Sequence, residues 1–135
     1  MNSIIRSIFA VIGGIAIGML VNMGIIYLSP LIIPPPEGMD PTNADSIKEF
    51  LPLMDSKHFI LPFLGHSLGT LVGAFVAAKF SASHPKRSAF FVGVFFLFGG
   101  IFASAMIPAP TWFVAVDLIF AYLPVAYVGA KLAGK

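Results

Sequence analysis

Phe59-Ile60-Leu61-Pro62-Phe63-Leu64-Gly65-His66-Ser67-Leu68-Gly69-Thr70-Leu71-Val72-Gly73-Ala74-Phe75-Val76-Ala77-Ala78-Lys79 decides the fold class. The 20 residues before Lys79 carry no Asp, Glu, Lys or Arg. At about 1.5 Å rise per residue, such a run matches the roughly 30 Å hydrocarbon core of a bilayer. Backbone groups in lipid must be satisfied within their own segment, so the run is read as a helix.

Three more runs qualify. One goes from Ser7 to Ser29 and is expected to end at Pro30. One goes from Ser88 to Ile107, stopped by Pro108 and Pro110, and the last from Thr111 to Lys131. The first is too long for the apolar core of a signal peptide headed by Arg6, and no A-x-A site follows it. It is expected to be retained. The chain therefore reads as one all-α integral membrane domain over residues 1–135, a bundle of four transmembrane helices.

Composition agrees. Hydrophobic residues make up 58% of the chain and charged residues 10%, against about 45–50% and about 25% in soluble domains. A soluble domain of 135 residues has too much surface to hide that much apolar material. Disorder, coiled coil and nucleic-acid binding fall with the same numbers. With no cysteine, disulfides and thiolate chemistry are excluded.

The charges set an expected orientation. Arg6, Lys79, Lys86, Arg87, Lys131 and Lys135 fall on one side of the bundle. Lys48 and Lys57 fall on the other, with Glu37, Asp40, Asp45, Glu49 and Asp55. The positive-inside rule then puts both termini and the loop before Ser88 in the cytoplasm, as in a bacterial inner membrane. Trp112 and Tyr27 mark the outer interface and Tyr127 the inner one. Residues 30–58 form the outer loop. Pro34-Pro35-Pro36 is a stiff polyproline segment, and Ser46 and Glu49 are spaced as a capping box. Ile47, Phe50, Leu51 and Met54 give this short helix an apolar face that lies down on the bundle or the interface.

Small residues mark helix contacts in lipid. The second span carries Gly65, Gly69, Gly73 and Ala77; the first carries Ala10, Gly14 and Gly18. The fourth has a looser version in Ala121 and Gly129, and the third has Gly93, Gly99, Gly100 and Ala103. The third span's six phenylalanines, Phe90, Phe91, Phe95, Phe96, Phe98 and Phe102, are expected to face lipid. Arg6-Ser7 and Arg87-Ser88 open similar segments, a faint sign of two parallel hairpins.

Three strongly polar side chains interrupt the spans: Asn22, His66 and Asp117. Each lies about 9–10 Å below the loop-side end of its helix, from the residue count and the helix rise. Asp117 is the only acid in any span, and His66 the only ionisable group at its depth. An unpaired carboxylate there costs about 2.5–3.5 kcal/mol, so the two are expected to pair, with Asn22 close by and Thr70 near the same level. The bland alternative is structural glue between helices. His58 is expected to be solvated at the interface, Pro62 and Pro124 to kink their helices, and His84, Lys86 and Arg87 to meet anionic lipid. Gly65-His66-Ser67-Leu68-Gly69 matches the Gly-x-Ser-x-Gly string, but it lies inside a membrane helix, without the strand-turn-helix that exposes a nucleophile.

The expected function is small-solute or proton transport, or ligand binding, by a homo-oligomer, with Asn22, His66, Asp117 and Thr70 as the site. Gly14, Gly18, Gly65, Gly69 and Gly73 pack the helices. The alternative is a non-catalytic accessory or assembly subunit bound to a partner membrane protein. Lipids are the expected surroundings. No cofactor or metal site is legible, since one interior histidine and one acid do not make a usual metal centre. An enzyme is the least expected reading, because Ser67 points about 100° away from its helix neighbour His66. The orientation gives a direct test: a cysteine at Ala44 labels from outside intact cells and one at Ser83 does not, and reversed labelling overturns it.

Overall fold

A computed structural model describes all residues 1–135. It is helical throughout, with no strand. Four helical segments are long and apolar enough to span a membrane: Ser3–Ile32, Ser56–Phe80, Pro85–Met106 and Thr111–Leu132. The helices are α1 (Ser3–Ile32), α2 (Ala44–Phe50), α3 (Ile60–Phe80), α4 (Pro85–Met106), α5 (Thr111–Phe120) and α6 (Leu123–Leu132).

Helix α1 runs past the end expected for it. Pro30 lies inside the helix, and the stop comes at Ile33, which is extended (φ −121°, ψ 95°). Pro30 forfeits one backbone bond, and the helix tolerates that loss. The residue before a proline is driven out of the helical region, and Ile33 precedes Pro34. The start of α2 also differs. Its cap is Asn43, whose side chain accepts the Ser46 N–H at 3.0 Å. Ser46 Oγ instead accepts the Asp40 N–H at 2.8 Å. The Ser46–Glu49 capping box does not form, because α2 begins at Ala44 and leaves Ser46 inside its first turn. Thr42 donates to Asp40 Oδ1 from its hydroxyl (2.6 Å) and its N–H (2.9 Å). These bonds hold the exposed Asp40 carboxyl below the usual carboxylate range. The turn is therefore favoured at and above that range and loosens only as pH falls below it, through the lowered value.

Helix α3 is the central element and touches α1, α4 and α6. Its contact with α1 is made by backbone. A Cβ on Gly18 would lie 2.6 Å from the Gly69 carbonyl oxygen, and one on Gly73 would lie 2.6 Å from that of Gly14. Ala10, Gly14 and Gly18 are the buried residues of α1. On its other side α3 meets α6, where a Cβ on Gly129 would sit 2.8 Å from the Leu71 carbonyl. Ala74, Ala77, Ala78, Ala89, Val92, Ala126 and Ala130 fill the space between α3, α4 and α6. On α4, Phe90, Phe91, Phe95, Phe98 and Phe102 are exposed on the bundle surface, but Phe96 is 7% exposed and belongs to the core. It packs where a Cβ on Gly18 would meet its ring at 2.9 Å. The absence of a side chain on α1 makes the room that Phe96 takes.

The fourth span is broken. Helix α5 ends at Phe120 and α6 restarts at Leu123, across Tyr122 at φ −117°, ψ −81°. Pro124 explains the break. In a continuous helix it would clash with the preceding turn and orphan a carbonyl; in the first turn of a new helix its missing N–H costs nothing.

The start of α1, the α3–α4 connection and the C-terminus share one end. Arg6 Nε donates to the Phe80 carbonyl at 3.1 Å. Ser81 Oγ donates to Ser7 Oγ at 2.9 Å and accepts from Ser88 Oγ at 2.9 Å. The serines of the two Arg-Ser pairs thus meet at one residue. His84 to Arg87 line a basic hollow with Gly134 and Lys135. The long connection between α1 and α3 covers the opposite end.

Gly69→Leu is expected to be among the most destabilising single changes. Even a Cβ there would meet Asn22 Cβ at 2.8 Å and the Gly18 carbonyl at 2.8 Å. Overpacking costs about 1–3 kcal/mol, and more where backbone must move. Phe95→Leu, on the open face, is expected to be mild. Thermal unfolding in detergent separates the two; equal tolerance overturns the packing assignment.

Candidate functional site

Asp117 points into the bundle from α5 and is 4% exposed. His66 Nδ1 lies 2.7 Å from Asp117 Oδ1. The Tyr122 hydroxyl donates to Asp117 Oδ2 at 2.8 Å. Each carboxyl oxygen thus has one partner, which is what a buried acid requires. The rings of His66 and Tyr122 are stacked, with centroids 6.0 Å apart.

Tyr122 has no place among the site residues expected from sequence. In an unbroken helix it would stand about 140° round from Asp117, five residues away at 100° each. The break before α6 turns it back over the carboxylate, 2% exposed. Its ring occupies the place a side chain at Gly100 would take. Pro124 is the one signal in the sequence that points to this. A kink there is expected to open space below Asp117; the break instead brings the tyrosine back to the carboxyl.

Asn22 and Thr70 stand apart from the pair. Asn22 hydrogen-bonds to neither His66 nor Asp117, and its Oδ1 is buried without a partner. It lies against α3's glycine face, where a Cβ on Gly65 would be 3.2 Å from that oxygen. His66 is the next residue and points about 100° away, toward α5. Thr70 is fully buried, and its hydroxyl donates to the His66 carbonyl at 2.8 Å within α3. Ser67 likewise donates to its own helix, at the Leu64 carbonyl, 3.3 Å away. The Gly-x-Ser-x-Gly string therefore holds no exposed nucleophile.

Above the pair, toward the long connection, lies a cavity of about 600 Å³. His66 and Asp117 line it, with α1 residues such as Met23 and Ile26, Gly100 and Ala103 of α4, and Phe59 and Phe113. Pro35, Met39, Ile47 and Met54 line it from the connection. His58, expected at the interface as a solvated side chain, ties this cover down. Its Nδ1 accepts the Asp55 N–H at 2.8 Å, and its Nε2 is 3.2 Å from the Pro34 carbonyl. With Nδ1 accepting, Nε2 holds the proton and donates to that carbonyl. On the other side of His66 the bundle is the alanine-rich core, and Asp117 is the only Asp, Glu, His, Lys or Arg among the buried residues.

No protein-family model, no curated protein and no solved structure matches the chain. The site therefore stands on its geometry alone. A buried carboxyl with two hydrogen-bond partners, beside an apolar cavity, can hold a polar group of a molecule whose remainder is apolar.

Removing the partners is expected to cost unequally. His66→Ala leaves a buried carboxylate short of a partner, a loss of about 3–5 kcal/mol for a broken buried pair. Asp117→Asn stays neutral and still bonds, so it is milder, and Tyr122→Phe falls near about 1–3 kcal/mol. Denaturant unfolding in micelles orders them; an Asp117→Asn variant less stable than His66→Ala would contradict the pairing energetics.

Proposed function

We propose that the chain is a small integral membrane protein that binds a small molecule in the cavity above His66 and Asp117. In this reading the loop end faces outward and the binding step serves transport or carriage of that molecule. The carrying observation is a cavity of about 600 Å³ with its one ionisable pair, His66–Asp117, inside an apolar bundle. Intramembrane ionisable groups mark substrate or proton sites, and pockets of this size hold small molecules. The alanine core on the far side of the pair favours binding over a standing proton path. The absence of a free nucleophile at Ser67 favours a non-catalytic role.

A second reading is an accessory subunit, supported by glycines on the outer surface. A Cβ on Gly13 or Gly24 of α1, or on Gly99 of α4, would meet no atom within 4 Å. Another helix, from a second copy or a partner, can approach closely at such points.

Native mass spectrometry separates the readings. A bound small molecule on the wild-type chain, absent from a folded Ala103→Trp variant that fills the cavity, supports the first. A chain that carries no small molecule and leaves the membrane only with a partner protein supports the second and removes the first.

A further inference from the structure

The proton count of the His66–Asp117 pair limits what the cavity can hold. His66 Nε2 makes no hydrogen bond within the protein, yet it is not a buried orphan, so it is open to an occupant of the cavity. With the Tyr122 hydroxyl donating to Asp117 Oδ2, the proton of a neutral Asp117 belongs on Oδ1, and two arrangements keep the pair neutral overall. Either Asp117 is protonated and donates to Nδ1, or a carboxylate faces an imidazolium. In both, Nε2 carries a hydrogen and is a donor. It becomes an acceptor only when the pair has lost a proton and holds a net negative charge. No lysine or arginine lines the cavity to balance that charge. An unbalanced charge in apolar surroundings is the costly state.

Of the other polar side chains of the cavity, three are spent, while the hydroxyls of Ser29 and of the outward-lying, 79% exposed Tyr27 on α1 make no hydrogen bond within the protein. Thr42 donates to Asp40, Ser104 donates to the Ile101 carbonyl, and both nitrogens of His58 are engaged. The rest of the lining is mostly hydrocarbon and thioether, including Met23, Met39 and Met54, whose flexible chains adapt to varied shapes.

We infer that the cavity takes a neutral, mostly hydrocarbon molecule whose carbonyl oxygen accepts a hydrogen bond from His66 Nε2. A ketone, ester or quinone meets this description. A carboxylate or phosphate does not, because it would give the neutral pair's site a net negative charge that no lysine or arginine on the lining balances. This inference rests on the proposed binding function and names its ligand class.

The test uses the full chain in lipid nanodiscs, with labelled methionine methyls and labelled histidine rings. Methyl nonyl ketone, undecane and undecanoate are the probes. The methyls of Met23, Met39 and Met54 read occupancy by any of them, and the His66 Nε2 resonance reads the hydrogen bond. The ketone is expected to shift both signals, and undecane only the methyls. His66→Phe is expected to weaken ketone binding about five- to tenfold, the range of one net hydrogen bond, and to leave undecane unchanged. His66→Gln, which keeps an N–H near the same place, is expected to retain most of the ketone affinity. Tighter binding of undecanoate than of ketone overturns the ligand class. So does equal binding of ketone and undecane with the His66 signal unmoved. Both of those results leave the binding cavity standing. No response of the methyls to any probe overturns the cavity reading as well.

Discussion

Contact between helix backbones along α3 is the constraint on which the rest of the bundle depends. Lipid offers no hydrophobic reward for bringing two apolar helices together, so in the proposed membrane setting association relies on close packing. On one side, Gly65, Gly69 and Gly73 let α1 rest against α3 at a separation that forbids side chains. On the other, Ala74, Ala77 and Ala78 receive α4 and α6. One helix with two small-residue faces therefore holds both halves of the bundle. The large side chains go outward, except Phe96, which fills the gap beside Gly18.

That tight packing stops partway along α3, and the site begins there. At the level of His66 the glycine face still holds α1, while the adjacent face opens toward α5. A buried carboxyl cannot stay at such a place without partners. His66 supplies one from α3 and Tyr122 supplies the other from the break in the fourth span. The break is thus more than an interruption imposed by Pro124. It gives Asp117 a second partner that no regular helix could provide from five residues away.

The cover over the cavity follows the same logic of local satisfaction. Proline at 34 stops α1, and Asn43 caps the short helix α2. His58 then bridges the turn at Asp55 to the carbonyl of Pro34. A neutral histidine with one nitrogen accepting and one donating suits that bridge. The apolar face of α2 contributes Ile47 to the cavity wall, so the connection is part of the cavity's lining.

Four span-length helices, the segregation of charge to two ends, and the glycine faces of α1 and α3 were all legible in the sequence. Each depends on a local pattern: run length, residue type, or spacing along one helix. The pairing of His66 with Asp117 was legible too, because depth follows from counting residues and a lone buried acid demands a partner. Direction around a helix axis relative to a neighbour was not legible. Asn22 shares the depth of the pair, but it meets the glycine face, one residue and about 100° away from His66. Thr70 shares their helix and bonds back into it. Tyr122 entered the site only because the chain broke at a proline, and the turn taken at that break is set by how α5 and α6 each pack. Sequence alone determined which segments form helices and which polar groups lie at one level. Tertiary structure decided which of those groups face one another, because azimuth is fixed by the contacts of whole helices and not by any single stretch of residues.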